Sequence, residues 1–149
     1  MSGFVQKLED CKGDWQRALE LVIAHFHADS GTIHLIGDDG QLHLQSATSG
    51  IPEVVLDLVR VVPVGKGMAG LAAERRHPVT ACNIQTDTTG DVRPGAKLTG
   101  MEGAIALPMM KGEEVAGVLG VANRSERTFS EEEQAELLKA GRVLAHWSS

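Results

Sequence analysis

Three glycines, Gly65, Gly67 and Gly70, have the spacing with the clearest chemical meaning in this sequence, the pattern G-x-G-x-x-G. In a dinucleotide-binding βαβ unit such glycines make a tight turn and let the backbone approach a pyrophosphate. Asp87 follows at about the distance where such a unit places an acidic residue for the ribose. The pattern therefore raises the possibility of a bound dinucleotide. A P-loop is excluded, because Lys66 is followed by glycine rather than by serine or threonine.

Two cysteines, Cys11 and Cys82, are the only thiols of the chain. They lie on a predicted helix and a predicted strand, far apart in sequence. Neither has the CxxC or Cys/His spacing of a zinc site. We interpret both as reduced thiols and expect Cys82 to be partly buried.

The histidines are scattered along the chain, and we interpret each as a surface or helix-end residue rather than a haem ligand. They are His25, His27, His34, His43, His77 and His146. Acidic neighbours belong to a turn at Asp38 and Asp39 and to a helix start at 131–133, so no pair of catalytic carboxylates is expected. The sequence predicts no catalytic residue and no metal, haem or bilin site, and it leaves any cofactor unknown.

The length and charge of the chain limit its possible partners. With 149 residues, it is expected to form one domain with a real core. Its 14 basic and 20 acidic residues give a formal net charge of −6, which disfavours binding to nucleic acid. The N-terminal sequence lacks the apolar core of a signal peptide, and no segment approaches the roughly 20 apolar residues that span a bilayer. We therefore expect a cytoplasmic protein without membrane contact.

Apolar periodicity predicts the elements of the first part of the chain. Residues 3–28 carry one apolar stripe at spacings of three, four and seven, which predicts a long helix weakened at Gly13. Residues 32–36 and 41–45 alternate apolar and polar around Asp39-Gly40, which predicts a β-hairpin. In this hairpin Ile33 and Leu35 share one face, and His34 and His43 point away from the apolar faces.

The rest of the chain combines short elements, a loop and a second hairpin. We predict helices at 51–60 and 67–77, strands at 61–64 and 79–84, a long loop at 85–101, hairpin arms at 104–110 and 114–122, and a last helix capped by Ser130. The downstream half is thus antiparallel, whereas a dinucleotide fold needs repeated parallel crossovers. The three glycines are better explained as allowing a short helix to pack closely beneath a sheet.

Several segments together resemble the GAF domain family. They are V-G-K-G-M-A-G-L-A-A, R-H-P-V, N-I-Q-T-D and the hairpin A-I-A-L-P-M-M-K-G-E-E-V-A-G-V-L-G-V-A-N. The resemblance covers about residues 30–147 in the right order. It implies an α+β, PAS-related, three-layer α/β/α fold with a central antiparallel sheet of about six strands. The terminal helices would cover one face of the sheet, and the short helices and long loop would cover a pocket on the other.

The resemblance also implies the place of a ligand site and a role. The residues expected at the pocket are Val55, Leu58, Lys66, Gly67, Met68, Ala69, Cys82, Asp87, Met101 and Ile105. The whole chain, 1–149, is expected to be a single free-standing, non-catalytic sensory or regulatory domain that binds a small molecule and signals to a partner not yet identified. The N-terminal helix, 1–28, carries Trp15. The core, 30–147, ends in a helix that carries Trp147. These two helices are expected to form a homodimer.

Other members of the family suggest alternatives that stay open. Asn123-Arg124, Phe129 and Glu133-Gln134 are similar to the signature of cyclic-nucleotide-binding GAF domains but depart from it at the last residue. We interpret Arg124 and Glu133 instead as an ion pair between the last strand and the last helix.

A second alternative is a small enzyme resembling free methionine sulfoxide reductase, with Cys82 as its reactive group. That group uses cysteines in and beside the pocket, whereas this chain has Ala69 where the group places one. A third alternative is an interaction module whose pocket is filled by its own side chains.

Overall fold

A computed structural model of the chain describes residues 3–86 and 100–147. The helices of this part are α1 (Gly3–Asp10), α2 (Trp15–His25), α3 (Glu53–Val59), α4 (Gly67–Arg75) and α5 (Glu131–Ala145). Its strands are β1 (Ser30–Ile36), β2 (Leu42–Ala47), β3 (Val61–Val62), β4 (Val79–Ala81), β5 (Gly103–Lys111) and β6 (Glu114–Asn123). A short 3₁₀ helix spans Ile84–Thr86. Most of the predicted loop, including Asp87, lies outside the described residues.

The strands form one antiparallel sheet in the order β3-β2-β1-β6-β5-β4. Both predicted hairpins are present, as β1–β2 and β5–β6, and β1 joins them by pairing with β6. Strands β1 and β6 therefore lie in the middle of the sheet. The prediction of an α+β fold with a central antiparallel sheet of about six strands is confirmed.

The prediction of one long N-terminal helix is wrong, because the chain breaks between α1 and α2. Gly13 has a φ of 94°, in the left-handed region that favours glycine, so the helix does not continue through it. Asp14 then caps α2, accepting a hydrogen bond on Oδ1 from the N–H of Arg17 at 3.0 Å. The glycine that was expected to weaken the helix divides it in two.

Helices α1, α2 and α5 pack on one face of the sheet and enclose the main core. Its fully buried members include Leu8, Leu19, Ile33, Leu107, Leu119, Leu137 and Leu144. Helix α5 begins with the predicted capping box, since the N–H of Glu133 donates to Oγ of Ser130 at 3.1 Å and the Glu133 carboxylate accepts from the N–H of Ser130 at 3.0 Å. The rings of Trp15 and Trp147 meet edge to face with centroids 5.0 Å apart, and this contact joins α2 to the end of α5.

Helices α3 and α4 cover the opposite face. A smaller core lies beneath α4 and includes Leu42, Val62, Ala72, Val79, Ala106 and Val118. The close approach of α4 to the segment before it depends on Gly70, where a Cβ atom would overlap the carbonyl oxygen of Pro63. The N–H of Gly65 also donates to the carbonyl of Gly70 at 2.8 Å. Two glycines of the G-x-G-x-x-G pattern thus hold the loop before α4 against the helix, which differs from the predicted role of packing the helix beneath the sheet.

Candidate functional site

A cavity of about 440 Å³ lies between the sheet and the layer formed by α3 and α4. Eight of the residues predicted at the pocket line it, namely Val55, Leu58, Lys66, Gly67, Met68, Ala69, Met101 and Ile105. They come from α3, from the beginning of α4, from the segment before β5 and from β5 itself. Residues distant in sequence therefore meet around one space, because both short helices lie over the same face of the sheet.

Two of the predicted pocket residues are not placed in this wall. Strand β4 ends at Ala81, so Cys82 follows the strand rather than lying on it. Its side chain is exposed, its Sγ accepts a long hydrogen bond of 3.9 Å from the Thr128 hydroxyl, and it does not line the cavity. The expectation of a partly buried Cys82 at the pocket is thus corrected, and Asp87 lies outside the described residues.

Strand β1 adds a row of polar side chains that the sequence prediction missed. Ser30, Thr32 and His34 alternate along β1, and all three line the cavity. Between them, Ile33 belongs to the core under α1, α2 and α5. The sequence correctly predicts two faces for this strand, but the second face is covered by another layer. His34 is consequently only 3% exposed, which corrects its interpretation as a surface residue.

The imidazole of His34 has one partner and one free nitrogen. Its Nε2 lies 2.8 Å from the carbonyl oxygen of Val59, at the C-terminal end of α3. Its Nδ1 is buried and has no hydrogen-bond partner within residues 3–86 and 100–147. Burial lowers the pKa of His34, although the bond to Val59 opposes this change. A neutral ring with its proton on Nε2 satisfies Val59 and leaves Nδ1 as an acceptor.

The beginning of α4 offers the opposite kind of group. Lys66 occupies the N-cap position without a side-chain capping bond, and the first helical hydrogen bond is donated by Gly70 to the Lys66 carbonyl at 3.1 Å. The N–H groups of Gly67, Met68 and Ala69 have no acceptor in the described part of the chain. Unpaired N–H groups and the positive end of a helix favour an anion or a polar acceptor.

Helix α3 covers the cavity with little packing of its own. Val55 is its one buried residue, whereas Leu58 lines the cavity and is still 51% exposed. Arg60, just after the helix, pairs with Glu53 at 3.0 Å and with Asp57 at 2.9 Å on the surface. Exposed ion pairs of this kind stabilise by only about 0–1 kcal/mol. The hydrogen bond between His34 and the Val59 carbonyl adds to the packing of Val55 and Val59 in attaching α3 to the sheet.

The predicted ion pair between Arg124 and Glu133 is formed by a different arginine. The guanidinium of Arg127 contacts the Glu133 carboxylate, donates to Oδ1 of Asn123 at 2.9 Å and lies over the Phe129 ring. The backbone N–H of Ser130, followed by Arg127, lowers the pKa of Glu133. These contacts tie the end of β6 to α5, and none of their residues lines the cavity.

Two further classes of site are absent from the described part of the chain. Within residues 3–86 and 100–147, no group of three or more His, Cys, Asp or Glu side chains is placed to hold a metal ion. In the same residues no helix has the length and apolar character needed to cross a bilayer.

Comparison with known proteins places this architecture in a family. The sequence model of the GAF domain matches residues 15–144. A search of curated proteins gave no match.

Solved structures share the fold at low sequence identity. One is the GAF domain of an Acinetobacter phosphoenolpyruvate-protein phosphotransferase, with a TM-score of 0.79 and 20% identity over 97% of this chain and 87% of that one. The GAF domain region of a putative membrane protein from Geobacter sulfurreducens PCA has a TM-score of 0.76 and 19% identity over 98% and 97%. A type II free methionine-R-sulfoxide reductase from Thermoplasma acidophilum has a TM-score of 0.72 and 16% identity over 94% and 93%. Since the family match spans most of the chain and its six-stranded sheet is that of solved GAF domains, this chain belongs to the GAF domain family.

Proposed function

We propose that this chain is a non-catalytic sensory or regulatory domain that binds a small molecule in the cavity between the sheet and helices α3 and α4. The observation that carries the proposal is the cavity itself, whose volume of about 440 Å³ lies within the range of small-molecule sites. Apolar side chains form most of its wall, with a few polar groups from β1 and the beginning of α4. Such a wall binds an apolar body and orients it by a few hydrogen bonds.

The positions of the thiols support binding rather than catalysis. A reductase that uses cysteine needs a thiolate beside its substrate and a second thiol close by. Cys82 is exposed outside the cavity wall, and burial, with Asp14, raises the pKa of Cys11, which favours its unreactive thiol form. Ala69 lies in the cavity wall at the position where the reductase group places a cysteine, and its methyl group cannot act as a nucleophile. We expect Cys82→Ser to bind the ligand as the native chain does. A thiol-dependent reductase activity that is present in the native chain and lost in Cys82→Ser would favour the enzyme instead.

The proposal is tested by a substitution on strand β5 that fills part of the cavity. Ala106 is buried on β5 and lines the cavity, so Ala106→Leu adds three carbons to the space that a ligand would occupy. Ala135→Leu adds the same atoms to the exposed side of α5 and is the matched control. Native mass spectrometry of the purified protein, followed by a fragment screen by ligand-observed NMR, measures the retained or bound molecules. We expect binding to the native chain and to Ala135→Leu, and loss of it in Ala106→Leu.

Two outcomes would contradict the proposal. One is the absence of any bound molecule or fragment from the native chain. The other is equal binding to Ala106→Leu and to the native chain, which would place the ligand elsewhere. Circular dichroism of both variants checks that each keeps the native helix and strand content.

Signalling in this proposal uses a homodimer formed by the exposed sides of α2 and α5. Its support is the half-buried pair Trp15 and Trp147, which forms a partly exposed aromatic surface on these helices. The apolar residues of α1 contribute less than the sequence predicts, because Phe4 and Leu8 are buried in the core of the same chain. Light scattering of the native chain and of Trp147→Ser tests the proposal. A native chain that is monomeric at high concentration would refute it.

A further inference from the structure

We infer that the ligand of this cavity is a planar ring system that lies flat on small residues of β5 and β6 and turns a polar edge toward the hydroxyl groups of Ser30 and Thr32. The inference rests on the proposed ligand-binding function and adds the chemical class of the ligand. It follows from which residues of the sheet face the cavity and from how far their side chains project.

The part of the sheet beneath the cavity is a floor of six residues in two rows. Each row runs across β1, β6 and β5, because paired residues of these strands lie side by side. The first row is Ser30, Ala122 and Ala104, and the second is Thr32, Gly120 and Ala106. Neighbouring strands lie about 4.8 Å apart and alternate residues of one strand about 6.8 Å apart, so the floor spans about 7 by 10 Å. A fused two-ring molecule has a similar outline.

Four of the six floor positions carry a methyl group or no side chain. Ala106 belongs to the buried cluster beneath α4, and Ala104 and Ala122 pack beside two methionines of the cavity wall, so these methyl groups lie on the cavity side of the sheet. A Cβ atom built at Gly120 would have one atom of the described residues within 4 Å besides its chain neighbours, Oγ1 of Thr32 at 3.3 Å. The space above Gly120 is therefore open, and a flat molecule can contact this floor over its whole face.

One edge of the floor carries two hydroxyl groups. A Cβ atom built at Gly31 would contact Ile23 of α2, so Gly31 faces the helices. Side chains alternate along a strand, so Ser30 and Thr32 on either side of Gly31 face the cavity.

Both of these hydroxyl groups are unpaired and can be reached from the cavity. Neither has a hydrogen-bond partner in the described part of the chain. In the same residues, the one fully enclosed side-chain nitrogen or oxygen without a partner is Nδ1 of His34, so the oxygens of Ser30 and Thr32 keep accessible surface. Ser30 as a whole is only 8% exposed. Buried polar groups are nearly always hydrogen-bonded, and a polar edge of the ligand supplies the partners that these hydroxyl groups lack.

The groups above the floor suit the face of an aromatic ring. Met68, in the first turn of α4, and Met101, before β5, line the cavity beside Ala104. A thioether sulfur makes favourable contacts with aromatic rings, and the unbranched side chain of methionine adapts to irregular shapes. Val55 and Leu58 of α3 extend this apolar cover. A flat ring in the cavity therefore meets apolar groups on both faces and hydroxyl groups along one edge.

Two bicyclic lactams test the planarity of the ligand. Quinolin-2-one is planar and carries an N–H and a C=O on one edge, and octahydroquinolin-2-one keeps this edge on a puckered carbocycle. We expect the planar lactam to bind about threefold or more tightly by ligand-observed NMR, because a puckered ring contacts the floor over less of its surface. The methyl protons of Ala104, Ala106 and Ala122 should move upfield with quinolin-2-one, since protons over the face of an aromatic ring are shielded and protons in its plane are deshielded.

Removal of each hydroxyl group tests the polar edge. Ser30→Ala and Thr32→Val each remove one hydroxyl group and keep nearly the same shape. Each should weaken quinolin-2-one binding about three- to tenfold, the range of one net hydrogen bond, and leave the binding of naphthalene unchanged, because naphthalene has no polar edge. Ser46→Ala is the matched control, since Ser46 is also buried but does not line the cavity, and it should change neither affinity.

The possible outcomes separate this inference from the proposed function. Equal affinity for the two lactams, downfield shifts of the alanine methyl protons, or unchanged quinolin-2-one binding in both hydroxyl variants each overturn the inference and leave the binding function in place. Binding of other fragments to the native chain, but of none of these probes, does the same. Binding of no probe and no fragment to the native chain overturns the binding function and the inference with it.

Discussion

The two faces of the sheet differ in the size of the side chains that they bury. On β5, Leu107 and Met109 are fully buried in the core under α1, α2 and α5, while Ala104 and Ala106 line the cavity. Strand β6 repeats this arrangement, with Leu119 in the helical core and the small Gly120 in the cavity wall. A single alternation of large and small residues thus provides stability on one face and space on the other.

This difference indicates how one small domain separates the core that stabilises it from the space in which we propose that a ligand binds. Large side chains that interdigitate with three helices exclude water and leave few voids. Small side chains beneath two short helices cannot fill the gap between the layers, so a cavity remains. Substitutions on the two faces should therefore have different consequences, and the predictions below test that contrast.

The largest expected effect is loss of stability from the helical face. Leu107 is fully buried in the core under α1, α2 and α5, so Leu107→Ala removes well-packed atoms and leaves a void. We expect the free energy of unfolding to fall by about 2–5 kcal/mol, as measured by urea denaturation. The neighbouring Ala106→Gly, on the cavity face, is the matched control and should cost clearly less. Equal losses would show that the two faces are packed alike.

A smaller effect is expected from the buried polar group of the cavity face, as a dependence of stability on pH. Burial lowers the pKa of His34 from its ordinary value of 6.5, so below that pH the unfolded chain binds a proton that the folded chain does not. The contribution of His34 is complete above about pH 6.5 and is lost as the pH falls toward its folded pKa. One proton corresponds to a slope of at most about 1.4 kcal/mol per pH unit.

Comparison of the native chain with His34→Gln measures this contribution. Urea denaturation at pH 7.5, 6.5 and 5.5 should show a shallower loss of stability on acidification in the variant, because glutamine does not titrate. The other histidines contribute equally to both chains. Identical slopes would contradict this expectation, because they would mean that burial does not shift the pKa of His34 between the unfolded and folded chain.

The smallest effects on stability are expected on the outer side of α3. Val54 and Leu58 are 57% and 51% exposed, so Val54→Ser and Leu58→Ser should each change the free energy of unfolding by less than about 0.5 kcal/mol. Only Leu58 also lines the cavity, and Leu58→Ser should weaken the binding of fragments to the cavity about twofold or more, as measured by ligand-observed NMR. Val54→Ser is the matched control. Weakened binding in both variants would indicate a general effect on α3 rather than a contact with the ligand.

Much of the fold follows from local patterns in the sequence. The alternation around Asp39-Gly40, the hairpin that ends in Asn123 and the capping box at Ser130 each depend on neighbouring residues, and each is found in the structure. The break after α1 was missed because an apolar stripe of helical period continues through Gly13 and Asp14. Periodicity shows which side chains share a face, and it does not show whether one helix or two present that face.

The candidate site was predicted less completely, because its properties depend on how distant elements meet. The polar row of Ser30, Thr32 and His34 is visible as an alternation, but only the position of β1 in the middle of the sheet shows that this face is covered. The exposure of Cys82 depends on the last residue of a three-residue strand, where sequence patterns are least informative. Which arginine pairs with Glu133, Arg127 rather than the predicted Arg124, likewise depends on the path of the chain after β6.

The absence of a side chain at Gly70 has a consequence for the shape of the cavity. Since a Cβ atom there would overlap the Pro63 carbonyl oxygen, even a methyl group would push α4 away from the segment that precedes it. Gly70 does not line the cavity, whereas the four residues before it, Lys66, Gly67, Met68 and Ala69, do. A substitution at Gly70 is therefore expected to displace part of the cavity wall without replacing any residue of that wall.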